Sequence, residues 1–295
     1  MTPDPPVLHT ASSVLAVVPH HQCEAWLAGA LESLVAQTRP LDGIVVVDDA
    51  SGEPPAAIVA RFPQVTLLKV AARKNVGPYR ISQQVVRDTA YEGYLWQDAD
   101  DWSMPERLER LLAAAERTGA ELVGSQELRV LSMHGDAVPF TYPLDVNAAL
   151  AEEPTSFPLL HPTSVVSRDL MTRVGGFATG LRFSGDSEFL RRAMHVARGV
   201  NVPELCYARR IRAGSLTTAA STGMQSPERI VLMATLHARA RANAELVARG
   251  QTPVLEPLAV APPIRLHHVF GPSLRERGRR ARRSRPAVVA MRRVS

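Results

Sequence analysis

The stretch "SVLAVVPHHQCEAWLAGALESLVAQTRPLDGIVVVDD", Ser13–Asp49, reads as a strand, a helix and a second strand. Ser13–Val18 and Gly43–Asp48 are apolar without alternation, the pattern of strands buried on both faces of a parallel sheet. Between them Trp26, Leu27, Ala30, Leu31, Leu34 and Val35 recur at helical spacing inside Cys23–Gln37. Two further apolar runs follow, Val65–Val70 and Gly93–Gln97, with helices expected just after Pro54 and over about Tyr79–Thr89. This alternation predicts an α/β fold: a doubly wound, mostly parallel sheet with ligands outside the carboxyl ends of its strands.

Further along, Ser103-Met104-Pro105-Glu106 has the form of a capping box opening a helix that ends near Thr118, at Gly119. Strands are expected over Glu121–Ser132 and Val202–Ile211, and helices over Ser187–Ala197 and Pro227–Arg249. His161–Phe177 reads as a strand, a short helix and a glycine turn. The organisation expected is an N-terminal tail (1–12), a main domain (13–220) divided near Leu131, a helix (221–250) and a Pro/Arg-rich, basic extension (251–295) with weak structure of its own.

The 295 residues are 45% hydrophobic, enough for a large core. The net charge of +5 hides an asymmetry: Ile264–Ser295 holds ten Arg, no Lys and one Glu, leaving −4 on the rest. An acidic body with a basic tail argues against a nucleic-acid-binding domain. Its last part, Leu274–Ser295, lacks aromatic residues to stack on bases, whereas its arginines suit anionic lipid headgroups equally well. No run approaches the roughly 20 apolar residues of a membrane span, and "MTPDPPVLHT" has no secretory pattern. With only Cys23 and Cys206, far apart, the expected compartment is the reducing cytoplasm.

Two acidic groups follow strands, Asp48-Asp49 and Asp98-Ala99-Asp100-Asp101, and the fold would place both at one rim. Aspartates at strand ends commonly cap helices, but a single cap does not account for three acids in four positions. A hard divalent cation held by one or two carboxylates, together with substrate phosphates, does.

The pieces "PHHQCEAWLAGALESLVAQT", "VVVDDAS", "KNVGPY", "DADDWSMPERL", "GGF", "GDSEFLRR" and "RRIRAGSLT" occur in that order over roughly Ser13–Thr218. In order and spacing they resemble the family-2 glycosyltransferases, which have the GT-A fold. The resemblance implies an inverting sugar transferase using a nucleotide-diphosphate donor, UDP-linked by preference, and Mn²⁺ or Mg²⁺. It places Pro19, His21 and Asp49 at the nucleotide base, Asp98 near the ribose, Asp100 on the metal and Asp186 as catalytic base. His21-Gln22 replaces the more usual aromatic-Asn pair, and Arg212 stands where many relatives have a histidine that helps ligate metal or phosphate. Arg80 and Lys74 are candidates for phosphate. Asp186 also reads as a helix N-cap, with Glu188 as the fallback base. Trp102 reads either as a sugar-stacking ring or as a cover for a helix end, and His161 as an acceptor contact or a structural histidine. The acceptor, whether glycan, lipid-linked or small molecule, is not legible, and peripheral membrane contact through the arginine tail is an expectation only. Two rivals stay open: a non-catalytic scaffold that keeps the fold, and a nucleotidyltransferase, although "PHHQCEAW" is not the Gly-rich basic loop the latter uses.

Overall fold

A computed structural model describes residues 7–131 and 136–274. The arginine tail beyond residue 274 lies outside the described residues. Ten strands form one sheet: β1 (Val14–His20), β2 (Gly43–Asp48), β3 (Val65–Val70), β4 (Gly93–Trp96), β5 (Trp102–Ser103), β6 (Leu122–Val130), β7 (Ala137–Phe140), β8 (Val165–Ser167), β9 (Gly199–Arg210) and β10 (Leu266–Phe270). The helices are α1 (Glu24–Val35), α2 (Ala56–Val59), α3 (Pro78–Asp88), α4 (Arg107–Thr118), α5 (Val146–Glu152), α6 (Arg168–Arg173), α7 (Gly185–Ala193) and α8 (Pro227–Ala248).

The strand order is β10-β3-β2-β1-β4-β8-β6-β9-β5, with β7 on β6. β3, β2, β1 and β4 are parallel neighbours, as their unalternated apolar runs predict. Val14, Ala16 and Val18 face one core with α1 and α4, while Leu15 and Val17 face the other with α3, α6 and α7. Each fully buried Val or Leu contributes about 1.5–3 kcal/mol. Two-sided burial of β1 therefore anchors the centre of the sheet. Beyond β4 the pairing changes: β8 is antiparallel to both β4 and β6, and β9 is parallel to β6.

The expected capping box at Ser103 is not formed. Ser103 belongs to β5 and pairs with Tyr207 of β9, its hydroxyl donating to Gln97 Oε1 (2.8 Å) and accepting from Arg107 (2.8 Å). A strand pairing took the residue that local pattern assigned to a cap. The start of α4 is satisfied from elsewhere: Gln37, just past α1, accepts from Leu108 N–H (3.0 Å) and donates to Met104 O (2.8 Å). At the other end Gly119 closes α4 in the left-handed conformation, as expected.

The start of the Pro/Arg-rich extension has little regular structure and is placed by its partners. Leu258 N–H donates to Glu188 (2.9 Å) and Ala261 N–H to Thr179 Oγ1 (2.9 Å), after which β10 adds antiparallel to the β3 edge. No helix among the described residues is long and apolar enough to cross a membrane.

Candidate functional site

The ends of β1, β2 and β4 open onto a cleft of about 630 Å³. Pro19 and His21 line it after β1, Asp49 after β2, and Asp98 and Asp100 after β4. The opposite wall is residues 179–182 and 209–222, with Arg80 and Ala261 at one side. The parallel order explains the convergence: neighbouring strands running the same way end at the same rim.

The paired acids after β2 divide the work. Asp48 is buried and 3.1 Å from His20 Nδ1, while His20 Nε2 accepts from Cys23 N–H. Burial raises the Asp48 carboxyl, but hydrogen bonds from His20 and Ser51 outweigh it and hold it below its ordinary value. Asp49 faces the cleft and accepts from Val76 N–H (2.7 Å) and Gly77 N–H (2.8 Å), fixing the loop ahead of α3. Burial pushes its carboxyl up in spite of those donors. His21 Nδ1 is shielded from water and has no protein partner, so a ligand could satisfy it.

The acids after β4 divide more sharply. Asp101 is 2% exposed and accepts from Tyr207 O–H (2.9 Å) and Arg210 N–H (2.7 Å), locking β9 to the turn. Tyr207 O also accepts Asp98 N–H, so one phenol holds both ends of the motif. Beneath them Arg107 is fully buried, donating to Gln97, Ser103, Trp96 O and Pro162 O. Burial lowers it to about 10, which leaves it charged at neutral pH.

Asp98 and Asp100 remain for the cleft. Among the described residues no donor binds the Asp98 carboxylate, and crowding by protein, then by Asp100, raises its proton affinity. Asp100 Oδ2 is 2.5 Å from Arg212 Nε; Arg212 also donates to Cys23 Sγ and stacks over Trp26 at 4.7 Å. No group of three or more His, Cys, Asp or Glu converges among the described residues. The two carboxylates still fit a hard divalent ion, which takes one or two protein oxygens and completes its shell with substrate phosphate and water.

Asp186 does not line this cleft. It sits in the first turn of α7, lining a separate cavity of about 10 Å³ with His161 and Phe189, yet close enough to Asp98 to raise it electrostatically. It is not the N-cap; that is Ser184, in the left-handed region at φ 60. Tyr79 O–H donates to Asp186 Oδ1 (3.0 Å). Gly185 makes room for this, because a Cβ there would lie 2.7 Å from the Tyr79 ring. Gly176, at φ 73, likewise lets Gln83 accept from Phe177 N–H.

Several candidates are placed otherwise than as ligand contacts. Trp102 packs on Gly29 of α1 beneath the Arg210 guanidinium (4.4 Å), so it covers a helix and does not stack on a sugar. His161 stacks on Trp96 (5.1 Å) and meets Phe177 edge-on, and burial lowers it to about 4: the structural reading. Glu188 is consumed by Arg192, Arg239 and Leu258 N–H and is not a spare base. Lys74 does not line the cleft, while Arg80 does and is tied to Pro262 O (2.8 Å). Tyr79, Arg209, Arg210, Arg182 and Cys23 were not identified from sequence. All but Arg182 lie inside the quoted motifs, Tyr79 in "KNVGPY", Arg209 and Arg210 in "RRIRAGSLT" and Cys23 in "PHHQCEAW", but local pattern assigned them no role.

Residues 15–135 match the glycosyl transferase family 2 model. Succinoglycan biosynthesis protein ExoO of Rhizobium meliloti (strain 1021) is 29% identical over 132 residues, 45% of this chain and 38% of that protein. An uncharacterized glycosyltransferase of Haemophilus influenzae is 22% identical over 184 residues, 60% of each. The chain thus spans less than two thirds of the length of these relatives. In fold it is similar to S. aureus TarS 1-349 in complex with UDP, with TM-score 0.61 and 20% identity over 79% of this chain and 67% of that one. The same protein in complex with UDP-GlcNAc gives TM-score 0.58 at 17% identity, over 80% and 73%.

Proposed function

We propose that this chain, which carries a glycosyl transferase family 2 domain over residues 15–135, moves a sugar from a UDP-linked donor to an acceptor hydroxyl with inversion at the anomeric carbon. The observation that carries this is the convergence of Asp49, Asp98 and Asp100 from separate strand ends in one cleft, with Asp186 in a separate small cavity from which its charge still reaches Asp98. The UDP and UDP-GlcNAc bound to the TarS structures favour uracil as the base.

Asp49 keeps lone pairs beyond its two backbone donors, and as an ionised acceptor it suits the uracil ring N–H. Pro19 and His21 border the base, and Asp98 accepts from the ribose hydroxyls. Arg212 and Arg80 present guanidinium donors to the diphosphate, which their fork geometry suits. Asp100 would hold Mn²⁺ or Mg²⁺, and such an ion supplies neutralisation of the leaving diphosphate. Tyr79 holds Asp186 Oδ1, and Asp186 would take the acceptor hydroxyl proton once an acceptor reaches it from the cleft. As that proton leaves, the acceptor oxygen bonds to the anomeric carbon opposite the departing diphosphate.

Titration of UDP with and without Mn²⁺ tests this on wild type and Asp100→Ala. Expected is a metal-enhanced affinity that falls about tenfold or more in the variant. Affinity insensitive to both metal and substitution overturns the metal assignment, and absence of UDP binding overturns the donor assignment.

A further inference from the structure

Arg209 lines the cleft, but the nucleotide contacts above do not use it. Its side chain packs against different neighbours from those of Arg210 and Arg212. Neighbours on a strand point to opposite faces. The Arg210 and Arg212 side chains turn toward Trp102, Trp26 and Asp100 beside α1, whereas Arg209 turns toward β6.

There Glu127, with no exposed side-chain surface, forms the platform. It accepts from Tyr142 O–H (2.8 Å) and from Arg129 Nε (2.7 Å), and Arg209 Nε lies 2.7 Å from its Oε2. The Arg209 Nε–H points off the line of that oxygen, while its Nη2 donates a long hydrogen bond to Oε1 (3.4 Å). Parallel pairing of β6 and β9 puts Arg129 directly beside Arg209. Like charges so placed repel, and one carboxylate shared by two guanidiniums neutralises only half of the pair. Asp98 feels Arg209 across the cleft floor but is not within 4.0 Å of it. Arg209 has five N–H donors, and its only described partner is Glu127.

A fixed guanidinium with donors to spare, held by a buried carboxylate beside Asp98, is an anion site. We propose that Arg209 binds an anionic group, phosphate or carboxylate, carried by the acceptor, and so helps select acceptors that bear such a charge near the attacking hydroxyl. This rests on the donor reading above, because a filled donor site leaves Arg209 to the second substrate.

Inorganic phosphate, titrated calorimetrically into protein saturated with UDP, serves as the probe. Expected is a weak site, about millimolar, that Arg209→Met weakens about tenfold or more while UDP affinity stays within about twofold. Folding should survive, because Glu127 keeps Arg129 and Tyr142. Arg129→Met, outside the cleft lining, should also weaken phosphate binding, since Glu127 then neutralises Arg209 fully. The proposal falls if wild type takes up no phosphate, if Arg209→Met binds phosphate unchanged, or if Arg209→Met loses UDP affinity about tenfold, which would assign Arg209 to the donor diphosphate. Failure of wild type to bind UDP would overturn the donor reading instead. The same phosphate comparison without UDP would then still decide Arg209.

Discussion

In the half of the sheet built from β1 to β4, the acids that matter stand at the rim and look into the cleft, as Asp49, Asp98 and Asp100 do. In the half built from β6, β8 and β9, charge is sunk beneath the surface: Glu127 under Arg129 and Arg209, and Glu188 with Arg192, each 2% exposed. Parallel strands end together and leave their terminal residues free for a ligand. The mixed half changes direction, has long irregular connections, and uses buried ion pairs to hold them. A buried pair is costly to desolvate and costlier still to break, so such residues set positions, while the rim acids line the cleft, Asp100 already paired with Arg212 and the Asp98 carboxylate without a donor among the described residues.

The largest effect expected is on turnover. Asp186→Asn should lower hydrolysis of a UDP-sugar about 10²–10⁴-fold, the range for loss of a general base, with UDP affinity unchanged. An equal loss of UDP affinity would break the division, making Asp186 part of the nucleotide half. Next comes stability. Glu188→Ala strands Arg192 in the interior and should cost about 3–5 kcal/mol by chemical denaturation. A loss below about 1 kcal/mol would mean that the sunken charges do not hold the mixed half together.

Tyr79→Phe removes one hydrogen bond from Asp186 and keeps the ring against Gly185. It should lower kcat about two- to thirteenfold, as a hydrogen bond of about 0.5–1.5 kcal/mol would imply, without changing UDP affinity. The smallest effect concerns His161. Its depressed value, about 4 against 6.5 unfolded, means the unfolded chain binds the extra proton first. The stability it contributes is therefore present above about pH 6.5 and lost as pH falls toward 4. His161→Phe should flatten that part of a Tm-against-pH curve; an unchanged slope would assign the acid sensitivity to other groups.

Much of this was readable along the chain. Every parallel strand, the helix ended by Gly119 and the rim aspartates Asp49, Asp98 and Asp100 stand close to where local pattern placed them, because each depends on residues within a few turns, whereas Asp186 lies in a separate cavity. Asp98 and Asp101 could not be told apart that way. They are three residues apart in one motif, and what separates them is Tyr207 and the Arg210 backbone, more than a hundred residues away. Ser103 was misread for the same reason, as its strand partner is also Tyr207. Local pattern gives Trp102 and His161 two readings each, because only their neighbours, Gly29, Arg210, Trp96 and Phe177, decide between ligand and packing.

Sequence alone determined the alternation of strand and helix, the parallel core and the gathering of acids at its carboxyl edge, since periodicity and strand direction are local properties that sum into a rim. Tertiary structure alone decided which of those acids stay free. A carboxylate's fate depends on the donors that reach it in space, and here those donors come from β9, α3 and the loop before α3.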